Sequence, residues 1–277
     1  MGNFETDTNI VGGNGQYEAV LSRDWEIWGP NGGYVSAIAL RAAGAESRFN
    51  RPASFSCQYL QIADFDKIQI TVKKLKEGST AEALKVSIEQ KGKHILEAFL
   101  WLVAADITGY EHEFTTPLDV KKPGQLKSIE ELLKPEERPP YIFWNNLDRK
   151  PVIWTRDNKQ KNDSPRWREW FRFRPQATFK DTFVDAARSL LLIDTMQWPA
   201  VFSMYTPELP YLAPSLDLNI QFHKSCPDDE WLLCDASANI ARNGIINGSA
   251  IIWSEKGDLL ASGISTLLCR PASKYGL

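Results

Sequence analysis

An Asn-Gly-Gly turn, Asn31-Gly32-Gly33, stands at the head of a segment that is apolar nearly all round, from Tyr34 to Ala45. A helix that starts there leaves its first backbone N–H groups without intrahelical partners, and the aligned peptide dipoles add partial positive charge at the same end. Such an end can polarise a carbonyl and hold an oxyanion. Glycine lets the carbonyl come close to the backbone. Asn31, Gly32, Gly33 and Tyr34 are therefore candidate substrate-binding residues, with Asn31 also the expected N-cap. Other recognisable chemistry is scarce. No Gly-x-Ser-x-Gly nucleophile turn occurs. Cys57, Cys226, Cys234 and Cys269 are scattered, with no CxxC pair to suggest zinc or redox chemistry. His94 and His112 lie near turns and polar flanks, where surface positions are expected. No metal or cofactor is called for.

The elements that must position this turn follow a simple plan. Tyr17 to Ser22 reads as a first strand. After the helix, Ser54 to Ile62 reads as another strand. Ile68, Ile70 and Val72 then alternate with polar residues, as do Leu84, Val86 and Ile88, and Ile95 to Ala105 is the most apolar run. Period-two alternation puts one face in a core and the other toward water. Gly78 and Lys91-Gly92 mark turns of an antiparallel meander. Residues 107–163 hold many of the prolines and charges and read as a long connection, packed on the body through Trp144 and Trp154.

The plan is then repeated. Trp167 to Arg174 is a largely alternating strand. A second apolar helix follows, with Asp181 as its expected N-cap and Pro199 limiting its length. In the next strand Leu216, Leu218, Ile220 and Phe222 alternate with Asp217, Asn219, Gln221 and His223. Three further strands lie between Glu230 and Cys269. Gly78 corresponds to Gly244 and Lys91-Gly92 to Lys256-Gly257. The chain divides into residues 1–106, a connection over 107–163, and residues 164–277. It is a duplicated domain of the α+β class, each helix wrapped by an antiparallel sheet.

The 277 residues are 43% hydrophobic and 24% charged, with a net charge of −3. No basic face is implied, so nucleic acid and anionic membrane surfaces are not expected partners. No apolar run reaches the roughly 20 residues of a membrane-spanning helix. The polar first residues lack the regions of a signal peptide, and a cytoplasmic location is the default expectation.

Trp28-Gly29-Pro30-Asn31-Gly32-Gly33-Tyr34, Arg51-Pro52-Ala53-Ser54 and Pro214-Ser215-Leu216-Asp217 occur in that order. Phe222-His223, Glu230-Trp231-Leu232-Leu233 and the run from Gly257 to Ser262 follow. This ordered set resembles the acyl-CoA thioesterase II-like family of double-hotdog proteins. The resemblance implies a double hotdog fold and hydrolysis of an acyl-CoA thioester by an activated water. It also implies three groups sharing that water: a strand Asp, a Ser or Thr on the next strand, and a Gln on the last. The Asp position matches Asp217, the hydroxyl position falls on Ser237 or Asn239, and the Gln position falls on Ser265, a shorter side chain. An incomplete water site of this kind leaves a second expectation open, a non-catalytic protein that binds acyl-CoA or another acyl ligand. Hotdog modules often assemble, so a homo-oligomer is a possible state.

Overall fold

A computed structural model describes residues 1–115, 119–138, 141–154, 164–205 and 210–275. The first half opens with a single helical turn, α1 (Phe4–Asp7), and two short strands, β1 (Val11–Gly13) and β2 (Gln16–Val20). The long helix α2 (Gly32–Glu46) follows, and then β3 (Arg51–Tyr59), β4 (Lys67–Glu77), β5 (Ala81–Gln90) and β6 (Lys93–Val103). A short helix α3 (Ile129–Leu132) and a strand β7 (Leu147–Pro151) lie within the stretch read as a connection. The second half contains β8 (Arg166–Phe173), α4 (Thr182–Phe202), β9 (Tyr211–Leu212), β10 (Asp217–Phe222), β11 (Leu232–Arg242), β12 (Ile245–Ser254), β13 (Leu259–Leu268) and β14 (Arg270–Pro271).

Twelve strands form one antiparallel sheet in the order β1-β2-β4-β5-β6-β3-β10-β13-β12-β11-β8-β7. Read from either end, the order is the same plan. The two halves meet at β3 and β10, where Ser56 faces Asn219 and the Ser56 hydroxyl donates to Asn219 Oδ1 at 2.6 Å. The strand β7 is thus the counterpart of β1, so a strand lies where the sequence reads as a connection. Its five residues were hidden because Asp148, Arg149 and Lys150 are charged. Asp148 pairs with Arg172 and Arg174, and Arg149 with Glu169, which lets a polar segment sit at the sheet edge.

Alternation sets the sheet faces. In β4 the even positions Ile68, Ile70 and Val72 are buried and their neighbours exposed. Two tight turns hold the meanders in register. Lys91-Gly92 joins β5 to β6, and Asn243-Gly244 joins β11 to β12, all four residues having positive φ. Paired left-handed residues match the right-handed twist of the strands they join.

Both helices lie against the sheet's inner face. Asn31 caps α2 through Tyr34 N–H, and Asp181 caps α4 through Phe183 and Val184 N–H. Pro199 does not end α4, which continues to Phe202. The ring removes only the amide that would have bonded the Thr195 carbonyl, near the end of the helix where this loss is small. The N-terminal turn is also held in place: Phe4 is buried against Trp25 and Phe173. Among the described residues, no helix is long and apolar enough to cross a membrane.

Candidate active site

The N-terminus of α2 opens onto a cavity of about 340 Å³, bordered by Trp28, Asn31, Gly32, Tyr59, Asp194 and Trp198 among others. Its rings come from separate segments. Trp28 precedes α2, Trp198 belongs to α4, and Tyr141 and Trp144 come from the connection. Trp28 stands edge-on to Trp198 and to Tyr141, and its indole N–H donates to the Tyr141 hydroxyl at 2.9 Å. Trp144 is held by the Arg149 guanidinium, 3.8 Å above its ring, and Arg149 is itself tied to buried Glu169. A concave, largely apolar wall with a few polar groups is the usual form of a ligand site.

Asp194 is the carboxylate of this cavity. It lies on α4 and reaches the head of α2, where its Oδ2 accepts the Gly33 N–H at 2.7 Å. Among the described residues, its buried Oδ1 has no partner at hydrogen-bond geometry. Burial pushes its pKa up to about 6, against the opposing pull of the Ser215 hydroxyl, the Gly33 N–H and the Tyr59 hydroxyl. Removing a carboxylate from water disfavours its charged form. A polar chain continues behind it: the Tyr59 and Ser36 hydroxyls are 2.9 Å apart, and Ser36 touches Cys57. Cys57 is buried and its thiol pushed up to about 12, so it holds its proton at neutral pH.

Glycine at positions 32 and 33 makes this contact possible. A Cβ on Gly33 would lie 2.8 Å from the Leu191 Cα, and one on Gly32 would lie 3.0 Å from both Asp194 Oδ2 and the Tyr59 ring. The two helices therefore cross with backbone nearly touching backbone. Of the first three helical amides, that of Tyr34 is held by Asn31 and that of Gly33 by Asp194. The remaining one belongs to Gly32, a residue that lines the cavity.

The residues singled out from sequence separate into two groups. Asn31 and Gly32 line the cavity, and Asn31 also donates to Thr195 Oγ1 at 3.2 Å. The Gly33 amide is occupied by Asp194, so it is not open to a substrate oxygen. Tyr34 faces the other way: it stacks on Trp25, and its hydroxyl donates to the Asp7 carbonyl and accepts from Ser22 N–H. Asp217 is not part of the cavity wall. Leu218 and Ile220 are the buried residues of its strand, so alternation turns Asp217 to the opposite face. There its Oδ1 accepts the Thr266 N–H at 2.8 Å. Ser237 is bonded to Ser249 at 2.9 Å on the outer face of β11, and Asn239 is exposed beside a register shift. Ser265 is buried on the inner face, its hydroxyl spent on the Asp217 carbonyl at 2.6 Å. Ser265 thus meets Asp217 only through its backbone carbonyl, Ser237 and Asn239 lie on another strand, and Asp194 is brought to the helix head. The sequence signal for Asp194 was a lone acidic residue in the apolar run of α4, between Ile193 and Thr195.

The other half has no such carboxylate. Gly33 is the second residue after its cap Asn31, and Asp194 the thirteenth after its cap Asp181. Exchanging the halves places Phe183, second after Asp181, against Gly44, thirteenth after Asn31. These two are in contact: a Cβ on Gly44 would overlap the Phe183 ring. Where one crossing has an acid on an amide, the other has a phenyl ring on a bare glycine.

Residues 21–103 match the acyl-CoA thioesterase N-terminal domain, and residues 112–268 match the acyl-CoA thioesterase C-terminal domain. Solved structures share the whole architecture. A candidate thioesterase II from Thermobifida fusca is 18% identical, with 98% of each chain covered and a TM-score of 0.82. A hot dog-fold protein of unknown function from Alicyclobacillus acidocaldarius is 17% identical over 96% of this chain and 97% of that one, at a TM-score of 0.80. An acyl-CoA thioesterase II from Mycobacterium marinum is 18% identical over 97% of each, at 0.76. With both domains matched in order and two helices wrapped by one antiparallel sheet, the chain belongs to the acyl-CoA thioesterase II family of double hotdog proteins.

Proposed function

We propose that the protein hydrolyses acyl-CoA thioesters, with Asp194 as the general base. The observation that carries this reading is a buried carboxylate, its pKa near 6, at the mouth of a helix that opens onto an apolar cavity. The acyl group lies among Trp28, Trp144 and Trp198. The thioester carbonyl oxygen points at the head of α2, where the Gly32 N–H and the helix dipole stabilise developing negative charge. A water beside Asp194 Oδ1 gives up a proton to the carboxylate as its oxygen attacks the carbonyl carbon. The tetrahedral oxyanion then collapses, the carbon–sulfur bond breaks, and the CoA thiolate takes a proton. The products are a free acid and CoA. A base with a pKa close to ambient pH suits this proton transfer, being both largely ionised and basic enough to accept.

Thiol release measured over a panel of short to long acyl-CoAs tests the reading. Turnover with at least one chain length is expected. Saturable acyl-CoA binding with no thiol release at any length would contradict hydrolysis and favour an acyl-ligand binder.

A further inference from the structure

One turn beyond Asp194 on α4 lies Gln197, whose side chain is fully buried. Neither its Nε2 nor its Oε1 has a hydrogen-bond partner among the described residues. Two unmet amide atoms in one buried side chain are costly. A Leu or Met would fill the same space without that cost, so the amide needs another reason to be there.

The surroundings of Gln197 are cut to admit it. It lies over Gly248 of β12, where any Cβ would overlap Oε1. Gly248 is paired with Ser265 of β13, whose hydroxyl is already committed to the Asp217 carbonyl. Two residues along the same inner face of β13 is Leu267, which borders the cavity and is bridged to Ser215, one of the hydroxyls acting on Asp194. Sheet and helix therefore present two adjacent layers. One holds Asp194, Ser215 and Leu267; the next holds Gln197, Gly248 and Ser265. Residues three apart on a helix are neighbours on its surface, about 5–6 Å between Cβ atoms.

We propose that Gln197 is a positioning residue for the attacking water. Its amide oxygen accepts one water proton while Asp194 Oδ1 accepts the other, which aims the water's lone pair at the thioester carbon. The amide takes no proton itself. The inference rests on the hydrolytic reading with Asp194 as base.

Gln197→Met tests it, because the substitution keeps length and volume and deletes both polar atoms. The expected result is a fall in kcat of about 10²-fold, a KM within about twofold of the parent, and a Tm equal to it or higher by about 2–4 °C. A folded Gln197→Met enzyme with kcat within about threefold of the parent overturns the proposal. So does a marked loss of Tm, which would make the amide a structural support. Gly248→Ala is the second variant: it displaces the amide without deleting it, and kcat is expected to fall at least about tenfold at unchanged KM. Unchanged kcat there also overturns the proposal. Failure of the underlying reading looks different: the parent protein itself would release no thiol, or Asp194→Asn would leave turnover intact.

Discussion

The Asp194 carboxylate accepts the Gly33 N–H at 2.7 Å, across the crossing of the two central helices. One hydrogen bond therefore joins the acid of the second half to the helix entrance of the first. Neither half holds this arrangement alone, and the symmetry-related crossing is filled by Phe183 on Gly44. The duplication yields one carboxylate-bearing crossing per chain.

The burial of Asp194 sets a pH signature. Its pKa in the folded chain, about 6, is raised from an ordinary value of 3.8. The folded state thus holds the proton more tightly than the unfolded state. This contribution favours folding at low pH, is lost as pH rises from about 4 to about 6, and is absent above that. A shift of this size corresponds to on the order of 3 kcal/mol. Asp194→Asn cannot ionise, so its stability relative to the parent is expected to grow by about that amount between pH 4 and pH 7. Denaturant unfolding at a series of pH values measures the difference, and a gap that shrinks toward neutral pH would contradict the burial. If Asp194 is the base, kcat/KM of the parent protein is expected to fall on the acid side with an apparent pKa near 6.

Gly33→Ala places a methyl 2.8 Å from the Leu191 Cα, a backbone atom that cannot turn aside. The helices must move apart, which stretches the Asp194 hydrogen bond. Overpacking of this kind costs about 1–3 kcal/mol, and a displacement near 1 Å at the site lowers turnover about 10²-fold. Thermal unfolding and thiol release on the same preparation check both effects. Parent-like behaviour in both would show that the crossing has slack.

Arg149 joins the cavity to the sheet edge. It lies over the Trp144 ring and pairs with Glu169, which is wholly buried. Arg149→Ala leaves that carboxylate without its cation and is expected to cost about 3–5 kcal/mol. The double change Arg149→Met with Glu169→Leu should recover most of the loss, because it removes both charges. Urea unfolding of the three proteins decides it. A double variant as unstable as the single one would mean that packing, not charge, governs this contact.

Much of the fold is legible in the chain. The alternation of Ile68, Ile70 and Val72, the caps Asn31 and Asp181, and the turn at Lys91-Gly92 each have a local cause that the structure retains. The strand β7 is less legible, because Arg149 is stabilised by a carboxylate twenty positions away and not by its neighbours. Phe4 anchors an N-terminal turn that reads as polar, for the same reason: its partners Trp25 and Phe173 are distant in sequence. The site was half legible. Asn31 and Gly32 announce a helix entrance, but Asp217 sits on an alternating strand, where the face it takes is fixed by the sheet. Asp194 is concealed in an apolar helix, and only the crossing with α2 brings its carboxylate onto the Gly33 amide.

The most direct test compares Asp194→Asn with Asp217→Asn in one thiol-release assay, using whichever acyl-CoA the parent turns over best. Asn preserves the shape of each side chain and removes its basicity. Loss of a general base is expected to lower kcat by about 10²–10⁴-fold in Asp194→Asn, while Asp217→Asn, changed only at a contact to the Thr266 amide, keeps kcat within a few-fold of the parent. The reverse pattern, an active Asp194→Asn and an inactive Asp217→Asn, would contradict the assignment of Asp194 as the base.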